Sequence, residues 1–222
     1  RNGVDKALVA HANTEAAGAI FANENLLELI QADDVDNRLT GVWTILPAQC
    51  GELPPPDEFF ARMAANRVGA LNLFPVAHRW QACRLTIGRL MDAAAERRIP
   101  VFLGQRIMDG GWRGVFDFLR EFPAATVIIN GVSLWGPDRN IRPLLENFPG
   151  CHVELSEYWV PEGIADLARL YGAERLLYGS GYPRFGHGST MLSIRHSGLP
   201  LEQVRQIASQ NLERLLAQAQ LA

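Results

Sequence analysis

The sequence is nearly empty of lysine. Lys6 stands alone, so the basic charge is almost entirely arginine. The 21 basic residues face 24 acidic ones, leaving a net charge of −3. No Lys/Arg cluster of the kind a nucleic-acid surface needs is present. Cysteine is scarce. Cys50, Cys83 and Cys151 are odd in number and far apart, and no pair has zinc-ligand or redox spacing. Reduced thiols and a cytoplasmic location are the expectation. No apolar run approaches the ~20 residues a membrane span requires. The first residues are polar and carry no signal-peptide core. The five histidines nowhere form a His-x-His pair.

What is present is ordinary globular composition. Hydrophobic residues make up 48% and charged residues 20%, which excludes a disordered chain. The 222 residues suit one domain spanning 1–222, because α/β barrels run to roughly 200–250 residues as a unit. Short apolar runs predict seven strands, over 4–10, 39–46, 68–74, 100–103, 125–130, 151–155 and 175–178. Period-3.6 patterns between them predict helices over 23–31, 83–98, 112–122, 138–148, 161–171 and 201–218. One more helix carries Phe59, Phe60 and Met63 inward behind Asp57 as its N-cap. Pro161 is expected in a helical first turn and Gly172 as that helix's stop. A strand every ~25–35 residues, each followed by a helix, is the period of right-handed βαβ units.

The stretch Arg175-Leu-Leu-Tyr-Gly-Ser-Gly-Tyr-Pro-Arg184 reads as a buried strand opening into a glycine-rich loop. It resembles the last barrel strand of the amidohydrolase-related TIM-barrel family, which typically reads Gly-Ser-Asp-Tyr-Pro. The resemblance extends over nearly the whole chain. Gly3–His11 resembles the family's second strand and Asn25–Ile30 the helix after it. Val153–Ser156 resembles the seventh strand, and Asn211–Leu216 the closing helix. This implies a (β/α)₈ barrel whose first βα unit is absent from the chain, rather than an open doubly wound sheet. It also implies a divalent metal such as zinc, held by His-x-His and by later His and Asp residues. At the matching positions stand Gln105, Asn130 and Gly181. The expectation is a depleted or absent metal site and no cofactor, with a zinc site of unusual ligands as the less favoured alternative.

Several residues fall at the expected strand ends, where barrel ligands sit. His11 is a general base, or a rim histidine bonded to the loop. His78, beside Arg79 and Trp80, lines a pocket or packs its loop. Glu154 shares a strand face with Ser156. If that face is inward, its carboxyl is paired with an arginine or holds a raised pKa and moves protons. Gln105, Asn130, Ser180 and Tyr182 are substrate-orienting candidates. Tyr158 and Trp159 suit a pocket wall or a subunit contact. His187 lies in a Gly-His-Gly loop and His196 on a helix. Ser180 lacks a His and an Asp at triad spacing.

Three functional readings stand open. The chain is a divergent hydrolase of a small polar molecule with His11 and Glu154 as acid/base groups. Alternatively it is a non-catalytic barrel that binds a small ligand or serves a partner subunit. The third reading is a metal-dependent hydrolase or decarboxylase. A bare sheet edge at the missing unit would favour a homo-oligomer.

Overall fold

The computed structural model describes residues 3–34, 36–132 and 136–221. Each strand is followed by helix: β1 (Ala7–Ala10), α1 (Thr14–Ala17), α2 (Ala19–Asp33), β2 (Leu39–Thr44), α3 (Pro56–Ala65), β3 (Val68–Asn72), α4 (Arg84–Glu96), β4 (Val101–Gly104) and α5 (Trp112–Glu121). The second half continues with β5 (Val127–Asn130), α6 (Asp138–Asn147), β6 (Cys151–Glu154), α7 (Gly163–Tyr171), β7 (Leu176–Leu177), α8 (His187–Arg195), α9 (Leu201–Arg205) and α10 (Asn211–Gln218). All seven strands are parallel and lie in sequence order, β1 to β7. A doubly wound sheet reverses its strand order at a switch point. This sheet has no reversal, so it is a curled barrel sheet of seven βα units.

Local chemistry sets the boundaries, and several expectations need correction. Pro56 begins α3 behind Pro55, so Asp57 lies in its first turn and is not the cap. α2 starts at Ala19, ahead of the predicted residue 23, and α1 precedes it. α7 starts at Gly163, which leaves Pro161 outside the helix. Gly172 does stop that helix, at φ +91°, a conformation costly for any other residue. His187 is the first residue of α8 and not a loop residue.

The two faces of the sheet differ. Val68, Leu71, Val101, Leu103, Val127, Ile129, Cys151, Val153 and Leu176 are fully buried and pack in the main core with helix residues such as Met63, Met91, Leu119, Leu145 and Leu167. The opposite face looks into the barrel. Low on it, Phe102, Ile128 and Leu177 form a separate apolar cluster with Leu212 and Leu215 of α10. A side chain at Gly69 would press on Leu216 of the same helix. α10 therefore floors the barrel interior, and residue 69 must be small to admit it.

A single π-helical turn, Gln206–Gln210, separates α9 from α10. Such turns free backbone carbonyls from the helical ladder. Here the Ile207 carbonyl accepts from the Tyr178 N–H at 2.9 Å. The buried Asn211 amide donates to the carbonyls of Ala173 and Leu176, each at 2.8 Å. Backbone groups at the end of β7 are thus bonded by helix residues.

His152 is buried on β6 two residues below Glu154. Burial, with Arg175 nearby, pushes its pKa down to about 4. Unfolded, it binds a proton near its ordinary 6.5. The unfolded state therefore holds more protons between these values, and stability falls as pH drops through that window. The loss should reach roughly 3 kcal/mol by pH 4. Urea unfolding of His152→Leu at pH 7 and pH 4.5 tests this. The variant should lose less stability on acidification than the parent, and an unchanged loss would rule His152 out as the acid-sensitive group.

Candidate functional site

Five consecutive strands end on one face. Thr44 pairs with Asn72 across β2 and β3, and Asn72 pairs with Phe102 of the interior face. Gly104 lies two residues beyond Phe102 and pairs with Asn130. His152 pairs with Ile128, and Glu154 lies two residues beyond it. Alternation along a strand then places Thr44, Asn72, Gly104, Asn130 and Glu154 together on the interior rim at the C-terminal ends. The Thr44 hydroxyl donates to Asn72 Oδ1 at 2.5 Å. The Asn130 side chain lies over Gly104, where a Cβ would come within 2.9 Å of its Oδ1.

Glu154 is the one ionisable member of this ring. The Ser156 backbone N–H donates to Oε1 and the Ser156 hydroxyl to Oε2, both at 2.8 Å. No cation pairs with it among the described residues. Desolvation pushes its pKa up to about 7; the Ser156 bonds oppose that rise, and the Glu157 charge adds to it. Of the two outcomes expected for an inward Glu154, an arginine partner or a raised pKa, the structure has the second. Gly179, on the neighbouring strand end, is what makes room: a Cβ there would overlap the Glu154 carboxyl. The glycine serves close approach here, since its φ is ordinary.

The other sequence candidates lie elsewhere. Ala10 pairs with Val42, so the next residue, His11, turns to the opposite face. Its Nε2 meets Asn25 Oδ1 of α2 at 3.2 Å, and its ring packs edge-on to Phe21. His78 Nε2 donates to the Thr14 carbonyl at 3.1 Å, at the start of α1. The two histidines thus anchor the α1 region, and His11 is not paired with Glu154. Gln105 folds against Gly111. The Ser180 hydroxyl accepts from the Tyr182 N–H at 3.2 Å, and Tyr182 is exposed. Tyr158 lines a cleft together with Trp159. Its side chain is buried and its hydroxyl donates to Asp138 at 2.6 Å, pinning the loop after β6.

A cluster not foreseen in the sequence lies next to Glu154. Arg106, following β4, donates to both oxygens of Glu157, following β6, with 2.6 Å to Oε2. Arg184, following β7, reaches the same carboxylate at 3.4 Å. The partners are 51 and 27 residues apart in sequence, a separation at which no local pattern links them. Two clefts of about 370 and 510 Å³ lie apart from this chemistry, and Glu154 lines neither.

Known structures share this architecture. An uncharacterized TIM-barrel protein from Bordetella bronchiseptica superposes with a TM-score of 0.71 at 19% identity, covering 98% of this chain and 79% of its own. A 5-carboxyvanillate decarboxylase from Novosphingobium aromaticivorans, in complex with manganese and 4-hydroxy-3-methoxy-5-nitrobenzoic acid, gives 0.68 at 13%, covering 97% and 77%. A structure described as amidohydrolase II gives 0.63 at 15%, covering 93% and 79%. No family model matches the chain and no curated protein matches it. These likenesses show the fold: a TIM-type α/β barrel. The chain spans about four fifths of each neighbour's length.

A divalent ion such as the manganese of that decarboxylase needs several converging imidazole or carboxylate donors. Among the described residues, no three His, Cys, Asp or Glu side chains converge. The rim ring offers one carboxyl with hydroxyl and amide groups; His11 faces away, and His152, two residues below Glu154, is buried and bonded to the Gly150 carbonyl. These residues do not fit such an ion.

Proposed function

We propose that this chain is a hydrolase of small polar molecules in which Glu154 carries the proton without a resident metal ion. The observation that supports this is the Glu154 carboxyl itself. It sits at a strand end on the barrel rim, has no cationic partner among the described residues, and titrates near 7. A carboxyl poised there serves as both base and acid at neutral pH. Ionised, it takes a proton from water as the water oxygen bonds to the substrate carbonyl carbon. It then returns that proton to the leaving oxygen or nitrogen as the bond to carbon breaks. Asn130, its neighbour on the rim, is placed to orient a polar substrate group.

The test is turnover of small esters, lactones and amides by chelator-dialysed protein. Activity should survive chelation, show an inflection near pH 7, and fall about 10²–10⁴-fold in Glu154→Gln. Activity lost on chelation and restored by manganese or zinc would overturn the proposal. A second reading, a barrel that binds a ligand without turnover, draws on the orientation of His11. With His11 turned away, Glu154 is the single proton-transfer group of the rim ring among the described residues. Ligand-induced thermal stabilisation with no turnover across the panel would decide for it.

A further inference from the structure

Above the rim ring, two guanidiniums share one carboxylate. The Glu157 side chain is only 8% exposed, while Arg106 is 46% and Arg184 66% exposed. Arg106 alone already engages both Glu157 oxygens. One arginine is enough to neutralise a buried carboxylate and to bolt the loops after β4 and β6 together. Arg184 adds a second positive charge that this structural role does not require. The cluster therefore carries two positive charges against one negative. The other N–H groups of both guanidiniums have no partner among the described residues.

The backbone is shaped for this arrangement. Gly131, at φ +59° just past β5, lies beneath Arg106, and a Cβ there would come within 3.2 Å of Nη2. Glu157 follows Glu154 by three residues at the end of β6, and Arg106 and Arg184 follow β4 and β7. The cluster and the Glu154 carboxyl thus stand at the same C-terminal end of the sheet. A guanidinium fork matches the geometry of carboxylate and phosphate oxygens, and it stays charged at any working pH.

We infer that Arg106 and Arg184, held in place by Glu157, bind an oxyanion group, a carboxylate or a phosphate, on the substrate. This deepens the hydrolase reading by naming the substrate class and rests on it for the word substrate. Glu157 has a second consequence in this scheme. It competes with the ligand for the same two cations, so it weakens anion binding while holding the site open.

The experiment is calorimetric titration of the full chain with acetate, succinate and inorganic phosphate, with methyl acetate as the neutral control. Anions should bind and the neutral ester should not. Arg106→Gln and Arg184→Gln should each weaken anion binding about tenfold or more. Glu157→Gln should tighten it several-fold, a gain that a merely structural role would not produce. Circular dichroism confirms that each variant is folded. Phosphate binding without carboxylate binding would identify a phosphate ester as the source, and the reverse a carboxylic acid. Equal binding of methyl acetate, or unchanged binding in folded Arg184→Gln, overturns the inference. Anion binding without Glu154-dependent turnover keeps this inference and removes the hydrolase reading. Glu154-dependent turnover of neutral substrates without anion binding does the opposite.

Discussion

Glu154→Gln is expected to yield a protein that has lost its catalysis and gained stability in alkaline solution. The two effects have one origin. In the unfolded chain Glu154 loses its proton near its ordinary 4.5, and in the folded chain only near 7. The folded state therefore holds more protons between these values. Stability must fall as pH rises through that window, and above it the folded protein carries the full cost of an ionised, partly desolvated carboxylate. A shift of this size corresponds to roughly 3 kcal/mol. Glutamine keeps the shape, can still accept from the Ser156 N–H, and has no charge to desolvate. The variant should match the parent near pH 4.5 and exceed it by about 3 kcal/mol at pH 8. Urea unfolding at the two pH values measures this. A variant no more stable than the parent at pH 8 would mean that the carboxyl is well solvated, and its role as a neutral-pH proton carrier would go with it.

Gly179→Ala should damage the same centre from the neighbouring strand. Its methyl would occupy the volume of the Glu154 carboxyl. The side chain can swing away only by giving up both bonds to Ser156. Losing two such bonds and straining the rim costs about 2–3 kcal/mol. The displaced carboxyl also returns toward its ordinary titration range, so the activity inflection should shift to lower pH as the rate falls. A double-mutant cycle isolates the contact. In a Glu154→Ala background the space is free, and Gly179→Ala should cost well under 1 kcal/mol. An equal cost in both backgrounds would show that the methyl meets the backbone and not Glu154.

Much of the scaffold was legible because the strands are apolar runs cut by glycine and proline. Asn130 was legible as a strand-end residue, while period two put Glu154 on one face with Ser156 without telling which face was inward. Thr44 and Asn72 were missed through a boundary effect. The apolar runs continue into Ile45, Leu46, Leu73 and Phe74, so the predicted strands ran on and left the two polar residues in mid-strand. The observed strands stop at Thr44 and Asn72, and Ile45, Leu46 and Leu73 are buried beyond the strand ends. The two readings of His11, general base or rim histidine bonded to its loop, could not be separated in sequence, because its strand gives no sign of its facing until the register Ala10–Val42 is known. α8 carries little apolar periodicity and was absorbed into loop. The Arg106–Glu157–Arg184 cluster depends on chain segments that meet only once the barrel has curled.

The floor of the barrel bears on how the chain is made. Leu212, Leu215 and Leu216, together with the Ile207 carbonyl and the Asn211 amide, all follow the seventh strand in sequence. A ribosome adds residues at ~5–20 per second, and folding begins before synthesis ends. Through that interval the nascent sheet has Phe102 and Ile128 uncovered below, and, once β7 emerges, an unpaired Tyr178 N–H at its edge. The growing polypeptide is stickiest just before α10 leaves the exit tunnel, which makes this the moment at which a holding chaperone has most to shield.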